Sequence, residues 1–188
     1  MIGASILCLS ECYYGAQRDT LRARLGDSWK IWTHSTSRGP VVLWDSSKWL
    51  HLDRETVDFG DNFHGATRVA LKHIVTGLIL DVISVHVRPG AVATAEQKAA
   101  DVAKTLTLYR GRPTVIAGDF NLSSPPLPGW TRVTPRIDTL DADGIQALDS
   151  AWIKGPGITG RYATAHEAPL SDHDGWRVGL TLAAPDLT

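Results

Sequence analysis

The sequence has little cysteine, no surplus of charge and no long apolar run, and each shortage closes a class of explanation. Its 188 residues hold 2 cysteines, Cys8 and Cys12. Set four apart, they could pair if that stretch runs strand into loop, but a metal site needs more ligands than these two. Two buried or half-buried thiols in a reducing compartment are the expected state. Lys and Arg number 19 against 20 Asp and Glu, a formal net charge of -1. The chain is therefore not a polycation that coats nucleic acid without selection, although a local basic rim could still grip phosphate. No apolar stretch is long enough to cross a membrane, and the first residues lack a charged region followed by a long greasy one. A soluble, cytoplasmic protein with no membrane partner is expected. Internal repeats and low-complexity tails are also missing.

What is present is material for one domain over residues 1–188: 43% hydrophobic residues, with 7 tryptophans. Ile6 to Leu9 reads as a buried strand that releases Glu11 at its carboxyl end. Gln17 to Leu25 reads as a modest helix stopping near Gly26. Trp29 to Thr33 and Val41 to Trp44 are β-rich runs parted by turn residues, and Lys48 to Val57, Ala66 to Ile74 and Leu78 to Val87 continue as strands. Thr94 to Tyr109 is the clearest helix, with Thr94 as cap, Gln97 at the capping-box position and an apolar stripe through Val102 and Leu106. Pro113 to Ala117, Ile145 to Ile153 and Arg177 to Leu182 complete the strands. Many strands with few helices between them predict an α+β fold of mixed and antiparallel strands, two sheets packed face to face with helices outside.

The polar residues fall at strand ends. Glu11, His86, Asp119 with Asn121, and Asp172 with His173 each stand at or beside one end of an apolar run, where neighbouring strands bring distant residues together. Asp119 and Asn121 flank Phe120, so in an extended segment both side chains point one way and can address one phosphate or an attacking water. Gly118 permits a sharp turn just before them. As a bare Gly-Asp turn the segment means little; after a buried Val-Ile strand, Gly-Asp-Phe-Asn is more specific. His173 beside Asp172 can act as a general base or stabilise charge, given a group to orient its ring. Asp149 is the candidate for that.

Five segments appear in order: Ile-Leu-Cys-Leu-Ser-Glu11, Ser-Val-His86-Val, Gly-Asp119-Phe-Asn121, Leu-Asp149-Ser-Ala-Trp and Ser-Asp172-His173-Asp-Gly-Trp. Their order and spacing resemble the endonuclease/exonuclease/phosphatase superfamily, which includes deoxyribonuclease I, over nearly the whole chain. The resemblance implies a DNase I-like, four-layer α/β-β/α sandwich and a hydrolase of phosphodiester bonds, a nuclease on DNA before other substrates. It implies that Glu11, with Asp172 near it, binds the catalytic Mg²⁺ or Mn²⁺. Asp119 would position or deprotonate water, and Asn121 would hold a phosphate oxygen. His173, oriented by Asp149, would serve the scissile phosphate, and His86 the leaving group. Few hard oxygen ligands suit Mg²⁺, which keeps several waters.

One departure stands at the front. Family members begin with a strand ending in Asn well before the Glu, whereas Glu11 is ten residues from Met1. The expectation is a sheet short of one strand, with an open edge that a partner or a second copy could cover. Arg88, Arg68 and Tyr13 are the candidates for substrate contact, with Arg161 and His64 as further rim residues. Two other functions use the same residues: hydrolysis of a small-molecule or lipid phosphoester, and nucleic-acid binding with weakened turnover.

Overall fold

The expected capping box is in place. Gln97 N–H donates to Thr94 Oγ1 (3.3 Å) and Thr94 N–H to Gln97 Oε1 (2.8 Å), which satisfies two otherwise unpaired donors at the helix start. The computed structural model that shows this describes residues 4–12, 15–33, 39–61, 63–136, 147–166, 173 and 175–184. The capped helix, α2 (Ala95–Leu106), ends three residues short of Tyr109; just beyond it the Thr107 hydroxyl donates back to Lys104 O (2.6 Å). The other helix, α1, covers Ala16–Leu25.

Among the described residues, eleven strands run in chain order: β1 (Ile6–Leu9), β2 (Trp29–Thr33), β3 (Val41–Asp45), β4 (Trp49–Asp58), β5 (Gly65–His73), β6 (Ile79–His86), β7 (Thr114–Asp119), β8 (Thr131–Arg132), β9 (Asp149–Lys154), β10 (Ile158–His166) and β11 (Gly175–Leu182). One layer is a continuous six-stranded sheet in the order β4-β5-β6-β7-β9-β8. Its β6 and β7 pair in parallel across the α2 crossover, and its other neighbours are antiparallel. The facing layer is in two pieces, β1-β3-β2 and β10-β11.

Burial explains why so many runs are apolar on both faces. Val42 and Trp44 of β3, with Ile6 and Cys8 of β1, meet Val69, Leu71, Val82, Val115 and Ile153 between the layers. The alternate residues Val41, Leu43, Leu7 and Leu9 pack outward against Leu21 and Leu25 of α1. Ile83, Val85 and Ile116 point the other way, under Val102 and Leu106 of α2. Period-two alternation thus feeds two apolar interfaces at once, and the layers are helix, sheet, sheet, helix. The fold class read from the sequence is the one observed.

Two strands escaped that reading. Residues of β8 lie in the stretch read as irregular, and β10 was not anticipated because most of its residues are exposed, so it writes no apolar pattern. The strand expected over Ile145 to Ile153 is seen from Asp149; positions 145–146 lie outside the described residues. Cys8 and Cys12 are free thiols. Among the described residues, no helix is long and apolar enough to cross a membrane.

The two pieces of the second layer face each other across a cleft of about 1120 Å³. Residues of β1 and β11 form its walls, and Leu80, Val82, Val115 and Ala117 of the continuous sheet form its floor. Among the described residues, neither β1 nor β11 has a ladder partner on its cleft side. At one end the cleft reaches Glu11, Asp119, Asp149 and His173.

Candidate active site

Strand register assembles one side of the site. His86 lies opposite Asp119, and Asp119 opposite Asp149, so three adjacent strands place their polar residues in a single row. The parallel pairing of β6 and β7 needs close backbones here. A Cβ on Gly118 would sit 2.1 Å from Val85 O, and Gly118 has φ 144, so only glycine fits just before Asp119. The other side comes from the split layer: Glu11 just past β1 and His173 just before β11.

Around the row the distances are short. His173 Nδ1 and Asp149 Oδ2 are 2.6 Å apart, the contact expected for an orienting carboxylate, and Trp176 Nε1 donates to Asp149 O (3.1 Å). His86 Nε2 is 3.7 Å from Asp119 Oδ2 and 3.8 Å from Glu11 Oε1. Ser10 Oγ accepts the Asp119 N–H (3.3 Å), a link between the layers.

Asn121 differs from expectation. It has φ 48, a left-handed conformation, rather than extending the strand. Its backbone N–H donates to Asp119 Oδ1 (2.7 Å), and its side-chain nitrogen donates to Asp119 Oδ2 (2.9 Å) and Val87 O (2.8 Å). With both amide hydrogens engaged, Asn121 orients Asp119 here. Donating to a phosphate oxygen would require exchanging one of these bonds.

Burial pushes the Asp119 carboxyl up to about 7 by stripping its water, and the neighbouring Asp149 charge adds to this. The Asn121 N–H and His173 pull the other way, and Glu11 adds a smaller upward push. Carboxylates are gathered here faster than the site neutralises them, which suits a hard divalent cation. The ligand atoms of Asp119, Asp149 and His173 lie within 4.8 Å of one another. An ion between His173 Nδ1 and Asp149 Oδ2 would need bonds of about 2 Å to each, and their 2.6 Å separation is that of a hydrogen bond. Asp119 and Glu11 are therefore the better oxygen donors toward a cation.

The remaining expected residues separate. Asp172 and Tyr13 lie outside the described residues. Arg68, expected at the substrate rim, is instead 1% exposed and bonds to Asp81 (3.1 Å) and Asp53 (3.0 Å). It pairs with Ile83, whose side chain packs with the α2-side cluster, so it stands on the face of the sheet opposite the His86 row. Arg88 spends its fork on Asp101 of α2, with two contacts of 2.8 Å. Two further groups stand beside the row. Lys98 Nζ donates to Asn121 O (2.9 Å). His64, read only as a rim residue, packs its ring against His86 with Asp61 behind it; the Asp-x-x-His spacing was the available signal.

A sandwich with this acid–histidine row at its strand ends has the architecture of a phosphoester hydrolase. The family model described as "Endonuclease/Exonuclease/phosphatase family" matches residues 2–173, and the chain belongs to that family, whose members generally hydrolyse phosphoester bonds. No curated protein matches the sequence significantly. Among solved structures, the endonuclease/exonuclease/phosphatase from Bacteroides vulgatus superposes with a TM-score of 0.76 at 19% identity, covering 95% of this chain and 85% of that one. TDP2 of D. rerio complexed with single strand DNA product gives 0.76 at 13% identity, covering 94% and 85%. The human Nocturnin catalytic domain with bound sulfate anion gives 0.68 at 17% identity, covering 93% and 81%. These likenesses support the fold.

Proposed function

We propose that this chain is a Mg²⁺- or Mn²⁺-dependent hydrolase of phosphodiester bonds that acts on DNA. The observation that carries the reading is the row of His86, Asp119 and Asp149 on adjacent strands, with His173 hydrogen-bonded to its end. Asp149 fixes the ring of His173 through Nδ1 and leaves Nε2 for the scissile phosphate. Asp119, held by Asn121, orients the attacking water and accepts its proton; a carboxyl raised toward 7 suits that task. His86 stands at the opposite end of the row for the leaving oxygen. Glu11, beside Asp119, would hold the cation, which when bound supplies neutralising charge for the phosphate; Asp172, the other expected ligand, lies outside the described residues. DNA is favoured among substrates because the D. rerio TDP2 neighbour carries a single-strand DNA product.

Nicking of supercoiled plasmid tests the reading. The purified protein should nick with Mg²⁺ or Mn²⁺, stop in chelator, and lose at least about 100-fold on His173→Ala. A folded protein that never nicks removes the DNase assignment.

One observation favours a second reading, a smaller phosphoester with an apolar group: the site opens onto a cleft lined largely by apolar side chains. Turnover of bis(p-nitrophenyl) phosphate without nicking would select it. The facing edges of β1 and β11 are where a strand from a second copy or a partner would join. Light scattering across protein concentration reads self-association there.

A further inference from the structure

The site contains a histidine–carboxylate pair twice. The second lies in the turn between β4 and β5. Asp61 Oδ1 accepts the backbone N–H of Phe63 (3.0 Å) and of His64 (2.9 Å), and Asp61 Oδ2 lies 2.6 Å from His64 Nδ1. Phe59 N–H closes the turn on His64 O (3.1 Å). Gly65, the next residue, lies opposite His86 in the ladder, so register delivers His64 to His86. The two ring centroids are 4.4 Å apart at 54°, a tilted contact at the short limit for packed aromatic pairs.

We propose that His64, braced by Asp61, is the positioning residue for His86, the wall that holds the His86 ring in the plane from which it addresses the substrate. The inference rests on the reading of His86 as part of the phosphodiesterase site. His86 is 3% exposed, and its Nε2 faces Asp119 of β7 and Glu11 beyond β1 at 3.7 and 3.8 Å. Both distances exceed a hydrogen bond, so neither of these two contacts by itself sets the tilt of the ring. A neighbouring ring packed this closely restricts tilt, provided it cannot turn. His64 meets that condition, since Asp61 holds both its backbone and its Nδ1. Arg88, just beyond β6, is tied to Asp101 and leaves this contact to His64.

Three variants of the full chain test the assignment: His64→Ala, His64→Phe and Asp61→Asn. Steady-state rates would be measured on bis(p-nitrophenyl) phosphate and on plasmid, and the histidine side-chain ¹H–¹⁵N spectrum recorded for each. Losing the wall should lower kcat about 10- to 100-fold with KM changed less than about twofold, as expected for a misplaced group. His64→Phe keeps a ring against His86 and should recover most of that loss, with Asp61→Asn intermediate. The His86 resonances should move in His64→Ala and stay near their original positions in His64→Phe. Unchanged kcat in His64→Ala overturns the proposal. So does an equal loss in the Ala and Phe variants with raised KM, which would make His64 a direct substrate contact. If His64→Ala does not fold, the Phe and Asn variants decide by the same criteria. Should the parent hydrolyse neither probe, the function fails, while unmoved His86 resonances in His64→Ala would separately overturn the positioning role.

Discussion

The two layers of the sandwich are built to different standards, and the candidate site draws on both. One is an unbroken sheet of six strands; the other is a three-stranded and a two-stranded piece divided by a cleft. His86, Asp119 and Asp149 belong to the unbroken sheet, where ladder register sets their spacing. Glu11 and His173 come from opposite sides of the division. Their relation depends on contacts across the layers, such as Ser84 Oγ to Leu9 O (3.2 Å) and Trp176 Nε1 to Asp149 O (3.1 Å). The continuous half can serve as a rigid template for the other, because paired strands resist displacement more than a strand with one open edge.

The strongest test of that rigidity lies at the far end of the six-stranded sheet. Asp81, fully buried, receives Arg112 through two contacts (3.1 and 2.9 Å) and Arg68 through one (3.1 Å). Asp81→Ala leaves a buried guanidinium short of its partner and should cost about 3–5 kcal/mol in urea unfolding. The paired change Asp81→Leu with Arg68→Met should cost less, since it removes the two fully buried charges together and leaves only the part-exposed Arg112 without its carboxylate. A loss under about 1 kcal/mol for Asp81→Ala would mean that this sheet is not the stiffer region.

Where the second region meets the first, Asp119 is a charge placed against stability. Its folded pKa is about 7 against an ordinary 3.8. Between those values the folded chain keeps a proton that the unfolded chain has lost, so stability falls as pH rises from about 4 to about 7. At roughly 1.4 kcal/mol per unit, the whole effect is about 4 kcal/mol. In chelator, Asp119→Asn should therefore be more stable than the parent at pH 8 and nearly equal to it at pH 4. Added Mg²⁺ or Mn²⁺ should narrow the gap at pH 8 by stabilising the parent, with its ionised Asp119, more than the variant. A margin independent of pH would contradict the burial of a charged Asp119.

How much of this was legible in the sequence follows the same division. Strands buried on both faces announce themselves as apolar runs, and β6 and β7 were read nearly to their ends. So was α2, because Thr94 and Gln97 write its start in local chemistry. The strand β10 has little buried surface and writes no pattern, and β8 is two residues long. Strand ends mark a site, which made Glu11, His86, Asp119, Asp149 and His173 visible as candidates. The face of a strand is harder to read. Arg68 looked available for phosphate, yet one position of register turns it to the α2 side and into the Asp81 cluster. Asn121 could not be read as an orienting group, because its left-handed backbone conformation depends on the turn it closes.

The smallest effect bears most directly on the cleft. Asp45 N–H donates to Ser5 O (2.9 Å), and the register continues Leu7 opposite Leu43 and Leu9 opposite Val41. Antiparallel ladders alternate, so the backbone groups of Ile6 and Cys8 point away from β3 and toward the cleft. Their amide protons should exchange at least about 100-fold faster than those of Val82 and Ile83, which lie in a strand paired on both sides. Leu7, bonded into the ladder with β3, should fall between. Hydrogen exchange read by NMR gives all five rates from one sample. Protection of Ile6 and Cys8 equal to that of Val82 would mean that both edges of β1 are paired in solution. The second layer would then be a closed sheet, and Glu11 and His173 would be held as firmly as the row they face.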